Sequence, residues 1–202
     1  MKFSNTFWKI ADTTANKVVI QGGSSSSKTY SMLQYFGVQC LNATEPILIS
    51  VVAESVPVLK RGAQRDLENI LHGSQIPYDL NRTDRLYKIG NGVIELLALD
   101  DPRKAHGPRR DHLFINEAQN IPWHIANQLM MRTSGRSFFD FNPTHEFWAH
   151  TEILPREDSQ FIKVTYKDNA TSTGESLLDA SIVDYLEGLP KDSNDYRVYV
   201  LG

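Results

Sequence analysis

The sequence contains little cysteine, no long hydrophobic run and no large excess of charge of either sign. Cys40 is the single cysteine among 202 residues, which excludes an intrachain disulfide and is typical of a reducing compartment. The longest apolar stretches, such as residues 47–53, are far too short to cross a bilayer. The first residues, MKFSNTFWKIADTT, lack the apolar core of a signal peptide. We therefore expect a soluble, intracellular protein without a membrane partner.

The formal net charge is only −3 at pH 7, which argues against a protein that coats nucleic acid through bulk electrostatics. A contact with nucleic acid through a local basic patch stays open. Hydrophobic residues make up 41% of the chain and charged residues 22%, which is ordinary for a globular protein. The length predicts one domain, or one domain with a small appendage.

The most informative stretch is residues 17–33, which read K-V-V-I-Q-G-G-S-S-S-S-K-T-Y-S-M-L. The β-branched run at 18–20 predicts a buried strand, and the apolar spacing after Lys28 predicts a helix. Strand, small-residue loop, Lys-Thr and helix in this order are typical of a phosphate-binding loop, whose backbone N–H groups and helix N-terminus face the phosphates. Ser27 stands where that pattern has Gly, so a Ser-rich surface loop ending in a helix cap is the alternative interpretation.

Two side chains of this loop carry the predicted binding chemistry. Lys28 would reach the β- and γ-phosphates, and Thr29 would place its hydroxyl on Mg²⁺. The residues predicted to bind the nucleotide are Gly22, Gly23, Ser24, Ser25, Ser26, Ser27, Lys28 and Thr29. Trp8, in the aromatic segment before the loop, is a further candidate that would flank the adenine ring. The alternative is that it pins the chain terminus to the core.

Two later apolar runs end abruptly in polar residues: 113–115 is followed by Asn116 and Glu117, and 135–141 by Asn142. In an α/β sheet the carboxyl ends of the strands form the ligand-binding edge. There Glu117 would be the general base that activates water, and Asn116 a metal ligand in a place where Asp is usual. Asn142 would contact the γ-phosphate or the water. A helix N-terminus and a plain Asn-Pro turn are the structural alternatives.

The rest of the pattern fits an α/β protein. A further buried strand is predicted over 47–53, a hairpin over 86–98 and a strand over 161–166. Helices are predicted over 57–71, 122–131 and 175–189.

These stretches together resemble a known family. G-G-S-S-S-S-K-T-Y-S, L-F-I-N-E-A, F-F-D-F-N-P-T, T-Y-K-D-N and Y-R-V-Y-V-L-G are similar, in this order, to motifs of the N-terminal ATPase domain of tailed-phage terminase large subunits, the motors that package DNA. The resemblance covers essentially the whole chain. It implies an α/β P-loop NTPase of the additional-strand, catalytic-glutamate type, with a mostly parallel central sheet flanked by helices and a small C-terminal lid portion.

The resemblance implies an ATPase core over residues 1–154 and a lid or linker portion over 155–202. The nuclease domain that follows in the family is absent from this chain, so ATP hydrolysis is expected and nuclease activity is not. The implied cofactors are ATP and Mg²⁺, and the implied work is translocation of double-stranded DNA into a procapsid in the host cell cytoplasm. The implied partners are double-stranded DNA, a portal protein, a small terminase subunit and further copies of the chain in a ring on the procapsid.

Carried over by position, Lys28 and Thr29 would be the phosphate and Mg²⁺ residues, Glu117 the catalytic glutamate, and Asn142 part of the motif that couples hydrolysis to movement. Two alternatives stay open. One is a catalytically weak nucleotide-binding or assembly module, and the other is a different P-loop DNA translocase or helicase.

Two of the departures from the family concern the charge at the site. Many members carry Arg at the position of Ser25, so the missing positive charge is expected from the basic loop before residue 111. Arg103 and Arg109 are the main candidates there, with Arg110 close by, acting on the ATP of a neighbouring subunit. The second departure is Asn116, because a neutral amide attracts Mg²⁺ less than a carboxylate does. The residues considered for DNA contact are Lys60, Arg61, Arg65 and Arg132, although a solvated surface charge is the simpler interpretation of each.

Overall fold

The structure, a computed structural model, describes residues 1–100 and 107–202 and is built around one eight-stranded sheet. Its strands are β1 Lys17–Gly22, β2 Ile47–Ala53, β3 Asp79–Asn81, β4 Leu86–Ile89, β5 Gly92–Ala98, β6 His112–Ile115, β7 Ser137–Phe141 and β8 Ser159–Val164. Their order across the sheet is β3-β4-β5-β2-β6-β7-β1-β8. The six strands from β5 to β8 in that order are parallel, and β4 and β3 extend the sheet in antiparallel pairing.

Helices cover the sheet. They are α1 Asn5–Ala11, α2 Lys28–Asn42, α3 Val56–Leu59, α4 Arg65–Gly73, α5 Trp123–Met130 and α6 Ala180–Glu187. A π-helical turn, Lys60–Gln64, joins α3 to α4, so the predicted helix over 57–71 is one helical rod with a wider turn inside it. Shorter helical segments lie at Ala118–Asn120, Ala149–Ile153, Tyr166–Asp168 and Tyr196–Val200.

The sheet is apolar on both faces, because alternate residues of its central strands pack into two different clusters. Val18 and Ile20 of β1 are buried against Met32 and Phe36 of α2. Val19, between them, belongs to the opposite cluster, which includes residues of β7 and α5. Burying a side chain of this size stabilises the fold by ~1.5–3 kcal/mol relative to leaving it exposed. The continuous apolar runs of the sequence are therefore strands covered on both sides.

The strand β7 lies between β1 and β6, which brings three strand ends to one edge. Val19 of β1 pairs with Phe139 of β7, and Phe139 pairs with Ile115 of β6. All three strands are parallel, so their carboxyl ends meet beside the N-terminus of α2. This register continues to place Asp140 next to Asn116.

The C-terminal part of the chain begins inside the same sheet. β8 pairs with β1 along its whole length, from Lys17 with Ser159 to Gly22 with Val164. A separate small cluster of Tyr166, Leu186 and Val200 covers the segment beyond it. The predicted division at residue 154 stays a prediction.

The predicted helix over 175–189 begins later than expected, at Ala180. Residues 169–177 instead form a turn whose backbone is already bonded: Leu177 N donates to Asn169 O, and Ala170 forms a β-bridge with Ser176. Donors used in this turn are not available for a helix.

None of the helices in residues 1–100 and 107–202 has the length and apolar character that crossing a bilayer requires.

Candidate functional site

A pocket of about 910 Å³ opens where β1, β6 and β7 end. Residues 22–29, predicted to bind phosphate and here called the phosphate loop, connect β1 to α2, and residues 23–29 form one wall of the pocket. Glu117, Asp140 and Asn142 form the facing wall. The site therefore combines the predicted loop with the predicted polar strand ends.

Two serines of the loop have left-handed backbone conformations. The φ angles of Ser25 and Ser27 are +63° and +58°, in a region that residues other than Gly seldom adopt. Holding a non-glycine residue there costs about 1–3 kcal/mol, which the surrounding structure must offset. Ser27 thus adopts a backbone conformation typical of Gly, the residue that the sequence pattern has at this position. The substitution of Ser for Gly is therefore compatible with the backbone conformation of the loop.

Side chains from outside the loop hold it in this conformation. Thr6 Oγ1 donates to Ser26 O at 2.8 Å, and Asn169 Nδ2 donates to Ser25 O at 2.9 Å. The Ser27 hydroxyl lies 3.1 Å from the Ser4 hydroxyl and 3.2 Å from that of Ser31. The N-terminal helix and the segment after β8 therefore both brace the loop.

The two glycines at the start of the loop are required by close backbone approaches. A Cβ on Gly23 would lie 2.1 Å from Tyr199 O, and a Cβ on Gly22 would lie 2.6 Å from Val164 O. Both contacts involve backbone atoms, which cannot rotate away as a side chain can. Larger residues at these positions would displace the C-terminal segment or the loop.

Lys28 is the cation at the centre of the site. Its side chain is buried. Lys28 Nζ donates hydrogen bonds to Gly22 O at 2.8 Å, Gly23 O at 3.0 Å and Asn142 Oδ1 at 2.9 Å. Burial lowers the pKa of Lys28, whereas the carboxylates of Asp140 and Glu117 act in the opposite direction. The lysine thus joins the loop to the end of β7.

Three polar side chains form a compact cluster beneath the loop. Thr29 Oγ1 donates to Asp140 Oδ2 at 3.0 Å. Asn116 Nδ2 lies 3.0 Å from Thr29 Oγ1, 3.0 Å from Asp140 Oδ1 and 3.3 Å from Asp140 Oδ2. Asp140 is 2% exposed, and its side chain still lines the pocket, whereas Asn116 does not line it. The carboxylate that contacts the loop threonine thus comes from β7.

Glu117 follows β6 in a left-handed conformation, with φ and ψ both at 53°. Its backbone N–H donates to Asp140 Oδ1 at 2.8 Å, and its Oε2 accepts from Asn120 Nδ2 at 3.2 Å. Burial raises the pKa of Glu117, and Asp140 and Glu54 raise it further, against the opposing effect of Lys28. A glutamate with raised proton affinity in a pocket has the property needed for a general base.

The other predicted residues lie elsewhere. Arg109 is exposed in the segment before β6, at the strand end opposite to Glu117, and Arg103 lies outside the described residues. Arg110 is buried and its backbone pairs with the chain at Thr133. Neither Arg109 nor Arg110 lines the pocket of its own chain.

Trp8 is 47% exposed and packs edge-on against the Phe7 ring, away from the pocket lining. The roles predicted for these residues stay predictions.

Asp140 and Arg65 are among the pocket residues that sequence reasoning did not assign to the site. Asp140 stands inside the apolar run F-F-D-F. An acidic residue in a buried strand is rare unless it has a partner, so the sequence did contain a sign that Asp140 has a special role. Arg65, at the start of α4, lines the pocket with Asp66, which its guanidinium contacts at 3.3 Å. It was considered only for DNA contact.

No protein-family model matches the chain, and no curated protein matches it. Solved structures do match. The large terminase of a thermophilic bacteriophage in complex with ADP superposes with a TM-score of 0.78 at 18% identity, covering 99% of this chain and 53% of that protein. Its complex with ATP-γ-S gives 0.76 at 17% identity over 99% and 52%. The large terminase ATPase domain of Thermus phage P74-26 gives 0.59 at 16% identity, covering 78% of this chain and 79% of that domain.

These similarities confirm the predicted fold: this chain has the fold of phage large terminase ATPase domains, with an additional strand between the loop strand and the glutamate strand. The chain spans about half the length of the thermophilic-phage terminase.

Proposed function

We propose that this chain is the ATP-hydrolysing motor domain of a phage terminase large subunit, which moves double-stranded DNA into a procapsid. The observation that carries the proposal is that Lys28 on the phosphate loop and Glu117 after β6 line one pocket. The shared fold with a large terminase solved with ADP and with ATP-γ-S supports a nucleotide as its occupant.

In this proposal the residues on the two sides of the pocket bind the phosphates and activate the attacking water. The backbone N–H groups of the phosphate loop and the N-terminus of α2 bind the phosphates, and Lys28 adds a positive charge. Glu117 accepts a proton from the water that attacks the γ-phosphate. Mg²⁺, when bound, neutralises charge on the β- and γ-phosphates. The oxygen atoms of Thr29 and Asp140, adjacent and beside the loop, are the kind of donors that a hard cation prefers.

Asn142 is proposed to couple hydrolysis to movement. Its Oδ1 accepts a hydrogen bond from Lys28 at 2.9 Å. A phosphate that recruits Lys28 competes with this bond, so occupancy of the loop can be transmitted to the chain that follows β7.

The experiment that tests the proposal measures phosphate release from MgATP by the wild-type chain over a range of protein concentrations, with and without double-stranded DNA. The proposal expects turnover that rises with assembly and is stimulated by DNA. The alternative, a nucleotide-binding or assembly module, expects nucleotide binding without turnover in any state of assembly. Absence of both nucleotide binding and turnover contradicts both functions.

The missing positive charge is proposed to come from a neighbouring subunit, through Arg103 and Arg109. Arg109 lies at the opposite end of β6 from Glu117 and does not line the pocket of its own chain, so the proposed role requires the pocket of another subunit. The double substitution Arg103→Ala/Arg109→Ala is expected to lower turnover by ~10³-fold or more, the usual contribution of an arginine finger. Phosphate release by the assembled protein measures it.

Mixing variants distinguishes action between subunits from action within one. The double arginine variant mixed with Glu117→Gln is expected to recover turnover, because intact arginines then face intact glutamates at some interfaces. Lys28→Ala mixed with Glu117→Gln is the control and stays inactive, since both residues belong to one pocket of one chain. If the first mixture also stays inactive, the assignment of the arginines is wrong.

The proposed partners follow from the same function: double-stranded DNA, a portal protein, a small terminase subunit and further copies of the chain in a ring on the procapsid, in the host cell cytoplasm. Lys60 and Arg61 are exposed on the π-helical turn and stay candidates for DNA contact. Arg65 lines the nucleotide pocket instead. Arg132 donates to Gly107 O at 3.2 Å, which fits a structural role.

A further inference from the structure

We propose that Asp140 of β7 supplies the metal-directing carboxylate of this site, in place of the neutral Asn116 at the end of β6. The proposal rests on the proposed function, because the metal in question accompanies the nucleotide. It assigns the role to a different strand from the one on which the sequence motif places it.

The register of the sheet makes this exchange possible. Ile115 pairs with Phe139, so the next residues of the two strands, Asn116 and Asp140, are neighbours at the same edge. A carboxylate carried by either strand end reaches nearly the same region beneath Thr29, as the contacts of both side chains with the Thr29 hydroxyl show. The additional strand thus offers a second position for the same chemical group.

Asp140 and Asn116 have different roles in the hydrogen bond between them, since one accepts and the other donates. An ionised carboxylate can only accept hydrogen bonds, so the amide of Asn116 must direct its NH₂ group toward Asp140. The same NH₂ group lies 3.0 Å from Thr29 Oγ1. Asn116 therefore turns its NH₂ group toward the carboxylate and the hydroxyl, and its Oδ1, the only side-chain atom that could bind a metal, points away from the Thr29 hydroxyl.

The Thr29 hydroxyl is oriented in the way that a cation needs. It gives its hydrogen to Asp140 Oδ2 and can accept one from Asn116 Nδ2. A hydroxyl oxygen has two lone pairs, so one remains for a cation in the pocket. Asp140 acts as a positioning group for this oxygen, and its negative charge draws the cation to it, directly or through a metal-bound water.

The charge of Asp140 also calls for a cation. A carboxylate that is 2% exposed carries a large desolvation cost, which the uncharged donors of Thr29, Asn116 and the Glu117 N–H offset only in part. In the described parts of the chain, no ion pair within 4.0 Å includes Asp140. Lys28 offsets its charge electrostatically, but Glu117 adds a second negative charge to the same pocket. A divalent cation balances this arrangement.

The test compares the gain in ADP affinity on adding Mg²⁺ in the wild-type chain, in Asp140→Asn and in Asn116→Asp/Asp140→Asn, by isothermal titration calorimetry with EDTA as the metal-free condition. Removing a group of this kind lowers metal affinity about 10–100-fold. Asp140→Asn is expected to keep metal-free ADP binding and to lose at least tenfold of the Mg²⁺ gain. The swapped variant is expected to regain it, because the carboxylate returns to the neighbouring strand end.

Asp66→Asn is the matched control: it removes a carboxylate that lines the same pocket, does not contact Thr29 and is expected to keep the Mg²⁺ gain. A full Mg²⁺ gain in folded Asp140→Asn overturns the inference and leaves the proposed function standing. Failure of the wild-type chain to bind ADP overturns the proposed function itself. If Asp140→Asn does not fold, Asn116→Asp alone decides: no increase in the gain supports Asp140, and a tenfold increase assigns the role to position 116.

Discussion

Glu117→Gln is expected to abolish ATP hydrolysis and to leave nucleotide binding intact. Glutamine has nearly the same shape but cannot take a proton from water, and loss of a general base costs about 10²–10⁴-fold in rate. The contact of Glu117 with Asp140 is made by the backbone N–H, so the substitution does not remove it. Single-turnover phosphate release measures the rate, and calorimetric titration with ADP measures the binding.

Glu54→Gln provides the matched control for this prediction. Glu54 raises the pKa of Glu117 through its charge but is exposed and does not line the pocket, so the same chemical change there is expected to alter the rate only a few-fold. A Glu117→Gln variant that hydrolyses ATP at the wild-type rate would remove the glutamate from the mechanism.

Lys28→Ala is expected to weaken nucleotide binding strongly without unfolding the chain. A hydrogen bond from a charged donor contributes ~1.5–3 kcal/mol, which corresponds to about a ten- to hundredfold loss of affinity. Removing the buried ammonium also removes its desolvation cost, which offsets part of the stability lost with its hydrogen bonds. Calorimetric titration with MgATP-γ-S gives the affinity, and thermal unfolding checks the fold.

Lys2→Ala is the control for charge alone. Lys2 also lines the pocket, but its side chain is 71% exposed and pairs with Glu175 at 3.7 Å. An exposed pair of this kind contributes little, so a small change in affinity is expected. Equal losses in the Lys2 and Lys28 variants would mean that the pocket attracts phosphate by general charge rather than through the loop lysine.

The elements that the sequence predicted best are those whose signal is local. The apolar run at 47–53 became β2 with the same bounds, and the small-residue loop before Lys28 joins β1 to α2 as predicted. The position of Glu117 in the pocket could be predicted because a strand that ends in a carboxylate is visible in the sequence itself. Each of these features is determined by residues that are close together in the sequence, so a local pattern is enough to predict it.

The residues that the sequence missed depend on contacts between distant segments. Asp140 faces Thr29 only because β7 lies between β1 and β6, an order of strands that periodicity does not specify. Arg65 lies within the predicted helix over 57–71, but a helical pattern does not tell which part of the protein faces a given residue. The left-handed Ser27 contacts the hydroxyl of Ser4, which lies 23 residues earlier in the chain.

The close packing of Gly23 against Tyr199 has a mechanical consequence. Gly202 O also accepts a hydrogen bond from Gln21 at 3.0 Å, so residues 199–202 rest on the chain at both sides of the β1–loop junction. Each contact ends on a backbone atom of residues 199–202, which cannot rotate away as a side chain can. We therefore expect a displacement of residues 199–202 to shift the end of β1 and the start of the loop as well.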